Sequence, residues 1–295
     1  MKKVYSFLSY TFIIIMAFVT LFPFVYMILA SLMTFQEATS IPPTLIPEKF
    51  QWQNFKLALE QAPFDRYFFN TIFVAGVSTI GTIITSVLAA FALVKLEFKF
   101  KNTLLLAMVA LLMVPYEVVV FTNYQTIAKL GLLDSYTALI LPSIASVFYI
   151  FYLKEYLSSI PLSYYKAAKV DGCSDLEFIT KILVPMGKPA LFTMGILSFI
   201  SGWNSFLWPI LVTNSKEMRL LSNGLSSFAT ESGTNVHLQM AASTITIIPI
   251  LIIYFIFRKQ IIRGVVKSGV KGYKNKSNFP CRYINYRWNN NRNSL

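Results

Sequence analysis

"YYKAAKVDGCSDLEFITKILVPMGKP", residues 164–189, is a polar and charged stretch in a chain that is otherwise strongly apolar. Of the 295 residues, 55% are hydrophobic and only 13% are charged, and the mean hydropathy is +0.57. These values lie outside the usual range of soluble domains. The sequence therefore predicts a membrane protein, with residues 164–189 outside the bilayer.

Apolar runs long enough to span a membrane lie on both sides of this stretch. A bilayer core about 30 Å thick requires roughly 20 apolar residues per spanning helix. The runs of about this length are residues 7–32, 71–94, 103–121, 136–153, 190–212 and 239–257. The first run is longer than the apolar region of a signal peptide, about 7 to 15 residues, which favours a retained helix over a cleaved leader. We expect an all-α, polytopic membrane protein with six transmembrane helices.

The basic residues predict the orientation of these helices, because cytoplasmic segments of membrane proteins are enriched in Lys and Arg. With a cytoplasmic N-terminus, the cytoplasmic segments carry 20 Lys and Arg and the outer segments carry 6. Both termini are then cytoplasmic, and residues 154–189 form a cytoplasmic loop. This asymmetry accounts for the net charge of +13, so no nucleic-acid partner is expected. Cys173 and Cys281 would both face the cytoplasm, which predicts reduced thiols rather than a disulfide.

The cytoplasmic loop has the pattern of two short helices joined by a glycine turn. The first helix is expected to begin near Ser163 and to end at Gly172, since glycine readily takes the left-handed conformation found at helix C-termini. Ser174 and Glu177 have the spacing of a capping box, which begins a second helix, and Pro185 is expected to end it.

The first helix of the loop offers a flat surface. Ala167 and Ala168 carry small side chains, which permit close approach by another protein. On these features alone, an amphipathic helix lying on the bilayer surface is the alternative.

At these residues the sequence resembles the cytoplasmic EAA loop of binding-protein-dependent ABC importer permeases. That loop has the pattern E-A-A-x-x-D-G-A, followed further along the chain by L-P. The matching positions are Ala167, Ala168, Asp171, Gly172 and Pro185, and Pro189 matches a further proline common in the family. Two positions differ: Lys166 stands where the family has glutamate, and Cys173 stands where it usually has alanine. A lysine in the first turn of a helix is unfavourable by roughly 0.3 to 1 kcal/mol.

The resemblance extends along most of the chain. The stretches "WNSFLWPILV" (203–212), "MAAS" (240–243) and "RGVVKSGVKG" (263–272) are similar to the carbohydrate-type branch, and within it to the smaller permease of the maltose-type pair. We therefore expect residues 1–272 to form one transmembrane permease domain. Residues 273–295 are basic, asparagine-rich and without apolar periodicity, as in a disordered cytoplasmic tail.

The resemblance implies a division of labour among several subunits in a bacterial or archaeal cytoplasmic membrane. The first loop helix would be the coupling helix, around Ala167 to Gly172, seated in a cleft of an ATPase subunit. The partners would be a second permease subunit, two ATPase subunits, an extracellular solute-binding protein and the lipid bilayer. No G-x-x-x-x-G-K-[ST] phosphate loop occurs in the sequence, so we expect no enzyme activity and no cofactor here, with ATP and Mg²⁺ bound by the partner subunits. The alternative is an ion-coupled secondary transporter. It is less favoured because the spans lack the paired carboxylates that such transporters use.

Two further groups of residues are candidates for contacts outside the loop. An amide between two tryptophans could line a solute path, since aromatic faces suit sugar rings, and a bond to a neighbouring helix is the alternative. These residues are Trp203, Asn204 and Trp208. Other residues are expected at the outer surface as contacts to the solute-binding protein, with a solvated face as the alternative. These are Glu117, Asn123, Glu231, Gly233 and Asn235.

The branch of the family implies a sugar or oligosaccharide as cargo. Glycerol 3-phosphate is the alternative, because permeases for it belong to the same branch and "VPYEV" (114–118) is similar to them. The spans contain no central Lys or Arg to bind a phosphate, which favours the neutral solute.

Overall fold

The computed structural model describes residues 2–230 and 233–267, and these are mainly helical. The helices are α1 (Lys2–Ser31), α2 (Phe35–Ala38), α3 (Gln53–Glu60), α4 (Phe64–Lys95), α5 (Lys101–Leu112), α6 (Tyr116–Lys129), α7 (Tyr136–Ile140), α8 (Val147–Ser158), α9 (Leu162–Val170), α10 (Asp175–Phe178), α11 (Val184–Trp203), α12 (Leu207–Val212), α13 (Leu221–Gly224) and α14 (Val236–Lys267). The 3₁₀ turns are Leu141–Ser143, Lys216–Met218 and Leu225–Phe228, and Ile179–Leu183 is a π-helical turn. The antiparallel strands are β1 (Ala229–Thr230) and β2 (Gly233–Thr234). The predicted tail, 273–295, lies outside the described residues.

Four helices in the described part of the chain are long and apolar enough to cross a membrane, and the number rises to six if each of two bent helix pairs is one span. The continuous ones are Tyr5–Ser31, Phe64–Lys95, Asp175–Trp203 and Val236–Lys259. The bent pairs are α5 with α6 and α7 with α8. The predicted fold class, an all-α polytopic membrane protein, is therefore confirmed.

The predicted third span, 103–121, is not one continuous helix. α5 ends at Leu112, α6 begins at Tyr116, and the two are bent by 102°. Pro115 explains the break, because proline lacks a backbone N–H and disfavours the helical conformation in the residue before it.

The predicted fourth span, 136–153, is bent by 41° between α7 and α8. Backbone carbonyls freed by such a break must find other donors inside a membrane. Two threonines of α4 supply them: Thr82 Oγ1 donates to the Ser143 carbonyl at 2.8 Å, and Thr85 Oγ1 donates to that of Ile144 at 2.6 Å. Hydroxyl groups of the second span thus bond the carbonyl groups that the bend in the fourth span leaves free.

The predicted helix end at Pro185 is wrong, because the chain stays helical from Asp175 to Trp203. The Val184 N–H donates to the Ile179 carbonyl, which is the wider π-helical spacing. Pro185 then falls in the first turn of α11, where a missing N–H is tolerated. The predicted fifth span, 190–212, is interrupted instead after Trp203, and the chain becomes helical again in α12.

The first of two compact units contains, within the described chain, residues 2–70, 215–230 and 233–254. Asn70 Nδ2 donates to the carbonyl oxygens of Glu217 and Arg219 at 2.7 and 3.0 Å, which fixes the segment that leads to the hairpin. Gly224 lies so close to Tyr67 that an added Cβ atom would be 2.5 Å from the ring.

The second unit contains residues 71–214 and, within the described chain, 255–267. Its hydrophobic core joins α4, α8 and the two helices of the cytoplasmic loop. The buried core residues are Val87, Ala90, Phe91, Leu153, Leu157, Ile160, Ala168, Cys173, Phe178, Ile179, Ile182, Leu183 and Ala190. The loop is therefore an integral part of a packed unit.

Candidate coupling site

The first loop helix, α9, begins slightly earlier than predicted. Pro161 is its N-terminal flanking residue, and no side chain caps the first turn. Ser163 therefore lies inside the helix and does not cap it. Lys166 is exposed on α9.

A glycine ends α9 as predicted. Gly172 has a φ of +79°, in the left-handed region that favours glycine. Its N–H donates to the Lys169 carbonyl at 3.1 Å, and the Cys173 N–H donates to the Ala168 carbonyl at 2.9 Å. This pair of bonds is a Schellman motif, which satisfies carbonyls left free at the helix end. Asp171 is the C-cap residue.

The predicted capping box of the second loop helix is confirmed. The Glu177 N–H donates to Ser174 Oγ at 3.2 Å, and the Ser174 N–H donates to Glu177 Oε2 at 3.0 Å. Lys181 Nζ lies 2.7 Å from Glu177 Oε1, one helical turn further on.

An acidic side chain joins the two loop helices. Asp175 Oδ1 of α10 accepts a hydrogen bond from Tyr165 Oη at 2.7 Å and lies 2.7 Å from Lys169 Nζ, both on α9. The hydrogen bond to Asp175 raises the pKa of Lys169 and so favours its charged form. The pKa of Tyr165 is raised, mainly by burial and secondly by its hydrogen bond to the same carboxylate. The turn between the helices is therefore closed by polar contacts as well as by backbone bonds.

The two alanines of the loop face in different directions. Ala168 is only 2% exposed and belongs to the core of its own unit, whereas Ala167 is exposed. The expectation that both alanines form one flat docking surface is wrong, because Ala168 is packed into the core and only Ala167 is accessible to a partner.

The exposed side of the loop carries apolar side chains that the sequence interpretation did not single out. Val170 is 85% exposed and Leu176 is 66% exposed. They lie on either side of the glycine turn. The sequence offered one signal for this surface, because these two residues are apolar within an otherwise polar, turn-forming stretch. Together with Lys166 and Ala167, they form what we call the outer face of the loop.

The two prolines that match the family pattern lie outside this outer face, at the start of the fifth span. Pro185 and Pro189 are both exposed residues of α11. The Pro189 carbonyl accepts a hydrogen bond from Thr193 Oγ1 at 3.0 Å.

Cys173 is buried in the turn, and the structure has it in a disulfide bond. The prediction of a reduced thiol is therefore wrong for this residue. That prediction rested on the redox state expected of the cytoplasm and not on the surroundings of Cys173. Cys281 lies outside the described residues.

The three candidate solute-path residues lie at the interruption of the fifth span. Trp203 and Trp208 are each 5% exposed, so their rings are mostly covered within the chain. Trp208 Nε1 donates to the Ala138 carbonyl at 2.9 Å, which ties α12 to α7. Asn204 is exposed, and its Nδ2 donates to the Ile200 carbonyl at 3.0 Å. Of the three, Asn204 presents the most side chain to a solute.

The candidate contacts to a solute-binding protein fall in two places. Glu117 is exposed in the first turn of α6 and Asn123 is half-buried further along that helix. Gly233 pairs with Thr230 in the hairpin, and the Asn235 N–H donates to the Phe228 carbonyl at 3.0 Å. Glu231 lies outside the described residues.

The fold and the loop define a class of protein, a polytopic helical membrane protein with a folded helix–turn–helix between two spans. The chain belongs to the family of binding-protein-dependent transport system inner membrane components, whose model matches residues 81–267. The matched range includes the whole cytoplasmic loop.

Similar proteins include permeases of two named transport systems. The arabinooligosaccharides transport system permease protein AraQ of Halalkalibacterium halodurans is 33% identical over 259 residues, which are 87% of this chain and 93% of that protein. The protein of the same name from Bacillus subtilis is 31% identical over 92% of this chain and 97% of its own length. The sn-glycerol-3-phosphate transport system permease protein UgpE of Yersinia enterocolitica is 33% identical over 87% of this chain and 94% of its own length.

A solved structure has the same fold. It is the crystal structure of a bacterial ABC transporter involved in the import of the acidic polysaccharide alginate. The match has a TM-score of 0.76 and 24% sequence identity, and it covers 87% of this chain and 96% of the other.

Proposed function

We propose that this chain is one of two different transmembrane subunits of an ATP-driven importer, and that the importer brings a sugar or oligosaccharide into the cell. Two ATPase subunits would bind ATP and Mg²⁺, and an extracellular solute-binding protein would deliver the cargo. The chain itself would hydrolyse nothing. Both termini would be cytoplasmic, as the distribution of Lys and Arg favours.

The observation that carries this proposal is the construction of the cytoplasmic loop within a chain of this family. Its inner face is packed into the core through Ala168 and Phe178, while the outer face presents Ala167 and Val170. Such a loop is rigidly attached on one side and free to bind on the other. It can therefore transmit a displacement of a bound ATPase subunit to the membrane-spanning helices.

The mechanism follows from this arrangement. ATP binding would close the pair of ATPase subunits and displace α9, which lies between α8 and the fifth span in sequence. Because the loop shares one core with α4 and α11, its displacement must move these helices too. The solute path would then alternate between inward and outward access, with Asn204 as a candidate contact at the interrupted fifth span.

Glycerol 3-phosphate remains the second candidate for the cargo, because relatives named for it are as similar as those named for arabinooligosaccharides. A phosphate in a translocation path is usually bound by Arg or Lys. None lies centrally in the six predicted spans, which supports a neutral sugar.

Uptake by cells that lack this chain tests both the function and the cargo. We expect deletion to abolish uptake of a labelled arabinooligosaccharide, and re-expression to restore it, while sn-glycerol 3-phosphate uptake is unchanged. Loss of only the glycerol 3-phosphate uptake would select the second candidate. The purified chain, reconstituted alone in vesicles, should show neither ATP hydrolysis nor uptake. Robust uptake driven by a proton gradient in those vesicles would contradict the proposal in favour of a secondary transporter.

A further inference from the structure

The cytoplasmic end of α4 holds a buried cation against the loop. Lys95 is the last residue of this helix and is only 5% exposed. Its Nζ donates to the Ile160 carbonyl at 2.7 Å. Ile160 directly precedes Pro161, the N-terminal flanking residue of α9, so the bond joins the second span to the start of the loop.

A ring cluster one turn earlier on α4 makes a second attachment. The centroid of the Phe91 ring lies 5.7 Å from that of the Tyr165 ring on α9 and 6.1 Å from that of the Phe178 ring on α10. The ring centroids of Tyr165 and Phe178 are 5.1 Å apart, and the planes of the two rings meet at 73°. Phe91 and Lys95 are four residues apart and therefore lie on the same face of α4. This face contacts both helices of the loop and the residue that leads into them.

A lysine is a costly way to fill this position. Burying an ammonium group sacrifices hydration that a single hydrogen bond replaces only in part. The favourable position of a cation at a helix C-terminus offsets some of this cost. An unbranched apolar residue such as methionine would fill a similar space without a buried charge. What methionine could not do is fix the Ile160 carbonyl, and hence the start of α9, relative to α4.

We propose that Lys95 is a positioning residue that makes α4 move together with the coupling helix, with Phe91 as the second point of attachment. The inference rests on the proposed function, since it assigns a transmission role within the coupling site. α4 is a continuous helix, so a displacement at Lys95 is carried along its axis into the bilayer. The α4 threonines that donate to the Ser143 and Ile144 carbonyls extend the same attachment to the segment between α7 and α8.

The test is Lys95→Met in the complete importer, with transported solute and hydrolysed ATP measured in the same vesicles. We expect assembly and basal ATP hydrolysis to stay close to the wild-type values. The ratio of solute transported to ATP hydrolysed should fall about tenfold, in the usual range of coupling between two sites. Lys95→Arg keeps a charged donor and should restore most of that ratio.

A purely structural role predicts a different pattern. Transport and ATP hydrolysis would fall together with the amount of assembled complex, and their ratio would be unchanged, which would overturn the inference. If Lys95→Met fails to assemble, Phe91→Leu provides the same measurement, because leucine keeps the burial and removes the ring contacts. An unchanged ratio in Phe91→Leu would also contradict the inference.

The wild-type importer separates this inference from the proposed function. If it shows no ATP-driven uptake, the proposed function fails and the inference fails with it. If it couples transport to ATP and Lys95→Met couples equally well, only the role of Lys95 is rejected.

Discussion

Ala167 and Ala168 are adjacent and chemically identical, yet the structure gives them different roles. Ala168 fills a place in the core where a larger or charged side chain has no room, and Ala167 stands on the outer face. A small residue in a recognition motif can therefore be required by packing or by docking. The direction of its Cβ atom, toward the core or toward solvent, decides between these two roles.

Ala168→Glu is expected to destabilise the isolated chain, whereas Ala167→Glu is expected to affect only its assembly. An unpaired carboxylate forced into the core should cost at least about 3 kcal/mol, seen as a lower melting temperature in detergent. Ala167→Glu should leave that temperature unchanged and weaken binding of the ATPase subunits about tenfold, or about 1.4 kcal/mol. Lys166→Glu, on the same exposed side of α9, is the control and should be tolerated. Equal melting temperatures for the two alanine variants would contradict the assigned burial.

At the scale of helices, local signals were predicted well and long-range consequences were not. The glycine end of α9 and the Ser174 capping box follow from a few neighbouring residues, and both are present as predicted. The role of Pro185 depended on the helix before it, because the π-helical turn shifts the bonding so that the missing N–H is tolerated. Similarly, hydropathy located the third span, but its 102° bend at Pro115 cannot be obtained from hydropathy.

The candidate site shows the same limit. The motif located the loop, but it did not distinguish Ala168 from Ala167. It also gave no sign of Lys95 or Phe91, which are about 70 residues earlier and reach the loop only through tertiary packing. Charge and aromaticity near the end of a span were the available signals, and neither specifies a partner in the fold.

The capping box of α10 gives a prediction at this scale. Ser174→Ala removes the acceptor of the Glu177 N–H and should cost about 1 kcal/mol of local stability. Hydrogen exchange of that amide should become roughly fivefold faster, since local opening controls it. Ser163→Ala is the matched control: Ser163 is exposed inside α9, and alanine there should leave exchange in α10 unchanged. Equal exchange rates in both variants would show that the box does not hold the helix start.

At the scale of the whole molecule, the charges and the apolar spans must agree on one orientation. The loop is too polar to enter the bilayer, and the Lys and Arg residues favour its placement in the cytoplasm. The segment between the first two spans, which includes α3, must then face outward. Lys56 on α3 has a side chain that is 81% exposed, so it offers a reporter on that side.

Labelling intact cells with a membrane-impermeant thiol reagent tests this orientation. In cells that express this chain without the ATPase subunits, which would cover α9, we expect Lys56→Cys to react while the cells are intact. Ala167→Cys should react only after the membrane is opened, because α9 would be cytoplasmic. The unmodified chain, which contains Cys173 and Cys281, gives the background for both measurements. Both substitutions lie at exposed positions, so neither should disturb packing. Reaction of Ala167→Cys in intact cells would place the loop outside the cell, where no ATPase subunit could bind it, and would reject the coupling role as well as the orientation.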